Sequence, residues 1–336
     1  MAPVQSVFQN DDGYLELRRE VEKAGLLDTA PAFYIVHFLF SFGLMAASLA
    51  VLLWVRNPLL QLANAGLLAF ALTQVAFLGH DLGHAQVFRR KSTNCWVGCL
   101  IYNLVLGISF HCWMRTHSEH HGHPNHIDLD PDIHFPIVAF TEGHAAAANP
   151  VAKWFIRRQS FFFFPLLMLM VTSLRMDSLQ FLRRNPGKQR WVEAVLLTAH
   201  TALYFWLVFS ALGLAYGLVF VAVNQAIFGL YVGLSFASNH KGMPIVERGE
   251  EMSFMRMQLV TTRNLTPSRV TEFLFGSLSS QIEHHLFPTM PRPSLFRARA
   301  IVRRFCQRDS LPYYETGYFR AIREVLAHLH GVGRSI

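Results

Sequence analysis

Between Asp28 and Arg56 this chain has no Asp, Glu, Lys or Arg, and none between Arg56 and Asp81 or over residues 194–240. The hydrocarbon of a bilayer is about 30 Å thick, and a helix rising 1.5 Å per residue crosses it in about 20 residues. A helix satisfies its own backbone polar groups, so an uncharged run of that length is read as a membrane crossing. Arg56-Asn57-Pro58 breaks the first two runs into one hairpin, and residues 194–240 hold two further crossings with Gly213 and Gly217 at the turn. The expected fold class is an all-α integral membrane protein, with four transmembrane helices in two hairpins and a cytosolic helical cap.

Composition supports this reading. Apolar residues make up 52% of the chain and charged residues 15%, where a soluble domain carries about 25% charged. The formal charge of +8 does not indicate nucleic acid, because the basic residues flank apolar runs. If only the two hairpins cross, Arg56 alone of the 30 Lys and Arg lies on the far side. Positive residues stay on the cytoplasmic side, so both termini and the central region are expected there. Asp11, Asp12 and Glu16 come before any apolar run, in place of a basic n-region, so no signal peptide is expected. The four Cys do not form a disulfide framework, and Cys95 and Cys99 lack a second pair for a zinc site.

A single membrane domain is expected: a cytosolic N-terminal segment over 1–32, a first hairpin over 33–78, a cytosolic or interfacial region over 79–190, a second hairpin over 191–236 and a cytosolic cap over 237–336. Within it, residues 14–27 form an amphipathic helix ending near Gly25. Residues 92–114 and 159–174 are apolar but short or polar-studded, and are expected to be interfacial or partly inserted.

The chemistry lies in the histidines, 17 in all. His80 and His84 are four residues apart. His117, His120 and His121, and again Gln281, His284 and His285, stand at i, i+3 and i+4. On a helix those positions share a face, so each cluster aims two or three ligands at one place. Imidazole-rich sites suit zinc, copper, nickel or iron. Eight or nine ligands exceed the four of a tetrahedral zinc and suffice for two ions with open positions. Two redox-active ions beside a membrane point to oxygen chemistry on a lipid. Asp81, Glu119, Glu283 and Asp130 or Asp132 are placed to orient the rings from behind. His37 and His200, inside spans, are read as packing residues. His111 is expected to hydrogen-bond locally, and His134, His144, His328 and His330 to lie at the surface.

The same residues carry a family resemblance from about residue 14 to about residue 320. The string HDLGH, the stretch HSEHHGHPNHIDLDPDI with Asn125 and its acidic tail, and QIEHHLFPTMPR resemble the three histidine boxes of the integral-membrane fatty acid desaturases, the last in its glutamine form. That form resembles both front-end desaturases and bacterial acyl desaturases, and a bacterial enzyme of the inner membrane, with its active site and both termini cytoplasmic, is the expectation. The resemblance implies two irons held by His80, His84, His117, His120, His121, His284 and His285, with His240 of SNHKGMP as a further ligand and Gln281 where many relatives have His. It implies O₂ as co-substrate and an acyl chain on coenzyme A, a carrier protein or a glycerolipid.

Many front-end desaturases carry a fused cytochrome b5 with a His-Pro-Gly-Gly haem motif. This sequence has no such string and no G-x-G-x-x-G dinucleotide loop after a strand, so electrons are expected from a separate ferredoxin or cytochrome b5 with its reductase. Two alternatives stay open on the sequence: a di-iron hydroxylase or ketolase, and a His-rich membrane metal transporter. Transporters place their ligands near the bilayer midplane, whereas these clusters follow the ends of spans.

Overall fold

A computed structural model describes residues 13–336, and it is mostly helical. The chain divides into two compact units. One comprises Met1–Asp28, Thr116–Phe163 and Ser235–Ile336, and the other Thr29–Arg115 and Phe164–Leu234.

The second of these units holds the apolar helices. Pro31–Trp54, Pro58–Gly83 and Lys188–His240 are each long and apolar enough to cross a membrane. The last, of 53 residues, is two helices broken at Gly213, whose φ of 70° and ψ of 178° only glycine adopts readily. Asn57 makes the first hairpin turn: its side chain accepts from the amides of Leu59 and Leu60, and Pro58 opens the next helix. Pro31–Trp54 is 17% buried over its apolar window and Pro58–Gly83 67%, so the first exposes an apolar face to lipid and the second is the inner helix. Polar residues join them. Ser48 donates to Asn64 Oδ1 at 2.7 Å, and Gln61 Nε2 donates to the Val51 and Val55 carbonyls. Asn224 Nδ2 reaches the Ala65 carbonyl at 3.0 Å. With no hydrophobic drive between helices in lipid, such bonds and close packing fix the partners. This is a membrane protein.

The two runs whose insertion the sequence left ambiguous are both bent. Lys91–Leu106 turns by 111° into Phe110–Gly122, and Gln159–Met168 turns by 69° into Met170–Arg184. If each bent pair is one span, the candidate crossings among the described residues rise from three helices to five.

In the other unit, helix Tyr14–Lys23 buries Tyr14, Leu17 and Val21 on one face and ends before Gly25, which has a φ of 66°. It packs on Arg292–Arg308, whose Leu295, Ala298, Val302 and Phe305 share one core with Ile282 and Leu286. Tyr14 Oη donates to the Leu286 carbonyl at 2.9 Å. This core holds the short helix Gln281–Leu286, in which all six residues are buried. Two-residue strands, Asn264–Leu265 and Glu315–Thr316, pair in parallel beside it. His328 is half-buried and bonds the Phe140 carbonyl, a position that its polarity and closeness to the chain end did not suggest. Cys95 is exposed and Cys99 buried.

Candidate metal centre

Three histidine nitrogens, one each from His120, His240 and His285, lie within 4.8 Å of one another, and all three residues are buried. The rings come from three elements: helix Phe110–Gly122, the last residue of Lys188–His240, and helix Gln281–Leu286. Each ring has its Nδ1 engaged from behind. His120 Nδ1 lies 3.0 Å from both Asp130 oxygens, His285 Nδ1 is 2.8 Å from Gln258 Oε1, and His240 Nδ1 is 3.3 Å from the Thr261 carbonyl. An acceptor at Nδ1 holds the proton there and leaves the Nε2 lone pair for a metal. The buried Nε2 of His285 has no hydrogen-bond partner among the described residues, as such a ligand requires. Gln281 stands beside this trio, with its amide nitrogen 3.2 Å from His240 Nε2.

A second trio lies in the same unit. One nitrogen each of His117, His121 and His284 falls within the same 4.8 Å limit. His121 Nε2 and His284 Nε2 are 3.1 Å apart, a spacing that suits two ligands on one ion at about 2.1 Å from each. The rings of His121 and His285 stack at 4.2 Å, so the two trios adjoin. Converging imidazoles fit a pair of borderline-soft metal ions. Burial, reinforced by the neighbouring imidazoles, pushes His285 far below its ordinary range.

Local structure explains the convergence. Asn125, in the left-handed region with φ 54°, turns the chain after helix Phe110–Gly122. Asp130 closes that turn by accepting the Asn125 amide at 2.7 Å and the Asp132 amide at 2.9 Å. Burial pushes the Asp130 carboxyl up, but His120 and Lys241 outweigh it and hold the group below the usual carboxylate range. Asn125 Nδ2 donates to the His240 carbonyl at 3.0 Å. Asn125 and Asp130 thus brace the trio from behind. Asp132 is farther from His120, at 3.6 Å, and half exposed.

Glu119 is exposed on the opposite face of its helix. Glu283 is fully buried and pairs with Asn264 Nδ2 and Tyr313 Oη, each at 2.8 Å. Burial pushes its carboxyl up, while Arg299, Asn264 and Tyr313 pull it back.

In the unit of apolar helices, His80 and His84 sit at the end of Pro58–Gly83 with ring centroids 4.7 Å apart. Asp81 Oδ1 is 3.5 Å from His80 Nδ1, beyond normal hydrogen-bond length.

A sequence model described as fatty acid desaturase matches residues 58–317. The chain belongs to the fatty acid desaturase family. It is 31% identical to an acyl-lipid (9-3)-desaturase of Physcomitrium patens over 96% of this chain and 63% of that protein. It is 30% identical to a Delta(8)-fatty-acid desaturase of Euglena gracilis over 93% of this chain and 77% of that one. A Delta(6)-fatty-acid desaturase, fat-3, of Caenorhabditis elegans is 27% identical over 97% and 76%. The chain therefore spans slightly under two thirds of the Physcomitrium patens protein's length. These relatives are eukaryotic and lend no support to a bacterial inner membrane.

Gln258 and Thr261 also belong to this site, with no motif in the sequence to mark them. They lie on helix Phe254–Thr261, whose start is capped by Ser253. Gln258 does two things at once: its oxygen meets His285, and its Nε2 donates to the His121 carbonyl at 3.1 Å. Nothing local in MQLVT marks either residue, because their partners are distant in sequence. Losing such an outer partner costs about 10- to 100-fold in metal affinity. The Gln258→Leu variant is therefore expected to lose metal at lower chelator concentrations than the parent. Identical chelator titrations would remove Gln258 from the site.

Proposed function

We propose that this chain is an oxygen-dependent acyl desaturase. The observation that carries the reading is the convergence of the second- and third-box histidines, with His240, into two adjoining trios, the first of which has each ring oriented from behind. We assign two irons to His80, His84, His117, His120, His121, His240, Gln281, His284 and His285. The first box enters on the family resemblance, and Gln281 on its place in the third box and beside His240. When bound, the irons supply the O₂ activation that removes hydrogens from an unactivated acyl chain. Overall, two neighbouring methylenes each lose one hydrogen, O₂ accepts four electrons with their protons, and two waters form. Two of those electrons come from the acyl chain and two from a donor.

The protein's own part is positional. Asp130, Gln258 and the Thr261 carbonyl keep three imidazoles in one tautomer, and burial of the site keeps the oxidant from bulk water. Apolar helices suit an acyl substrate, whose anionic carrier (coenzyme A, a carrier protein or a glycerolipid headgroup) suits the Lys and Arg near the boxes. A ferredoxin or cytochrome b5-type carrier outside these 336 residues, with its reductase, is the proposed donor. A basic surface draws an acidic carrier by long-range attraction, so turnover should fall as salt rises.

Hydroxylation is the second reading, since the same oxidant can return oxygen in place of removing the second hydrogen. Expression in a host lacking the activity, with fatty-acid profiling and double-bond localisation, decides between them. A product two hydrogens lighter supports desaturation, and one oxygen heavier overturns it. Products unsaturated at Delta(5), Delta(6) or Delta(8), the positions in the relatives' names, are the first to seek.

The proposed topology has four crossings, with the histidine boxes and both termini on the cytoplasmic side. Its supports are the distribution of Lys and Arg and the break at Gly213. The glutamine-form third box is the one argument for a bacterial membrane. Reporter tags at residue 185 and residue 330 are expected to be cytoplasmic, and a tag at Asn57 external. An external residue 185 would refute the four-span arrangement.

A further inference from the structure

A buried carboxyl group in the unit of apolar helices grips the elbow from which the second histidine box departs. The elbow runs through Gly107, Ile108 and Ser109, between the π-helical turn Leu100–Leu106 and helix Phe110–Gly122. The chain bends by 111° there. Gly107 has a φ of 71°, and a Cβ on it would lie 2.4 Å from the His200 ring, so only glycine fits.

Four side chains from helices Met170–Arg184 and Lys188–His240 converge on the elbow. Arg175 Nη2 donates to the Leu106 carbonyl at 2.9 Å, His200 Nδ1 meets the Leu104 carbonyl at 3.1 Å, and Ser178 Oγ accepts the Ser109 amide at 2.9 Å. Glu193, 1% exposed, makes the most bonds. Its Oε1 accepts from Asn103 Nδ2 at 3.1 Å and from the His111 amide at 3.2 Å, and lies 3.0 Å from His111 Nδ1. Its Oε2 accepts the Ser109 hydroxyl at 2.7 Å. Ser109 in turn caps the helix, its Oγ accepting the Cys112 amide at 3.1 Å.

A buried carboxyl group is costly unless fully bonded. Here every bond goes to the turn before the helix and to its first residues. Tilting the start of a helix moves side chains two to three turns along by more than a metal–ligand bond tolerates.

We propose that Glu193 is a positioning residue of the desaturase, which sets the direction of the helix carrying His117, His120 and His121. The inference rests on the di-iron reading for its effect on metal and turnover, but not for its effect on the elbow. Geometry rather than charge is the requirement. A glutamine at 193 can place its oxygen where Oε1 accepts three bonds and its amide nitrogen against Ser109 Oγ, which can accept in place of donating.

The test compares Glu193→Gln and Glu193→Ala with the parent in detergent, by hydrogen exchange over residues 107–116, iron per chain, and kcat and KM for the acyl substrate. Glu193→Ala is expected to lose amide protection at His111 and, through Ser109 Oγ, at Cys112, to lose iron, and to drop kcat about tenfold with KM unchanged. Glu193→Gln should restore all three. Should Glu193→Ala not fold, Ser109→Ala removes one bond to Glu193 and the cap, and is expected to loosen the Cys112 amide. Parent-like protection and iron in Glu193→Ala, or equal damage in both Glu193 variants, overturns the proposal. A parent that holds no iron, while Glu193→Ala still loosens the elbow, refutes the di-iron reading and leaves the elbow assignment standing.

Discussion

Alanine at His120 or His285 is expected to abolish turnover and strip iron, while the protein remains folded in the membrane. Both rings are buried, and both have an Nδ1 partner, Asp130 for His120 and Gln258 for His285. Truncating a buried side chain costs about 2–5 kcal/mol through the cavity left behind. The chain's apolar helices and separate cores make that survivable. Losing an ion's ligand is more damaging to function than losing an outer partner, so activity should fall by more than about a hundredfold. Purified parent should hold about two irons per chain, because the donor set exceeds what one ion uses. His330→Ala, on an exposed ring, serves as the control and should be unchanged. Full activity in both His120→Ala and His285→Ala would refute the metal assignment.

The second large effect is expected at Arg263, whose side chain is completely buried. Its Nε donates to the Ser238 carbonyl at 2.8 Å and its Nη1 to Glu324 at 2.5 Å, while Nη2 meets the Lys241 carbonyl. Its own amide bonds the Asn239 carbonyl at 3.0 Å. The guanidinium and backbone amide of Arg263 together tie down three residues flanking His240: Ser238, Asn239 and Lys241. Arg263→Ala leaves the Ser238 and Lys241 carbonyls without this donor, and a buried polar group left unsatisfied costs about 1–3 kcal/mol, while Glu324 keeps Tyr314 and Arg320. Lysine should not rescue it, since a single ammonium cannot reproduce a planar fork with three directions. Glu324 is 29% exposed at its side chain, so Glu324→Gln should cost less, about 1 kcal/mol. Thermal unfolding in detergent reads all three variants. A midpoint for Arg263→Ala equal to that of the parent would show that these bonds contribute nothing net.

Features set by local pattern were legible in the sequence. The absence of charge over 29–55, 57–80 and 194–240 located the apolar helices, because a bilayer imposes a length that one stretch must meet alone. The i, i+3, i+4 spacing marked His117, His120 and His121, and again Gln281, His284 and His285, because a helix puts those positions on one face whatever surrounds it. Asn57-Pro58 and Gly213 announced their turns through their own backbone preferences.

Tertiary structure alone decided the partners. Glu283 stood next to the third-box pair in sequence, yet its carboxyl turns to Asn264 and Tyr313, since adjacent helical positions point in different directions. Gln258 and Glu193 had no motif to mark them. They sit 27 residues from His285 and 82 from His111, and a hydrogen bond across such a distance leaves no periodic trace. The sequence by itself determined which residues can share a face and which stretches can enter lipid, because both follow from backbone geometry and charge within one segment. Which acceptor stands behind each imidazole, and which carboxyl group grips the elbow, depend on how separate segments pack, and only the fold decides that.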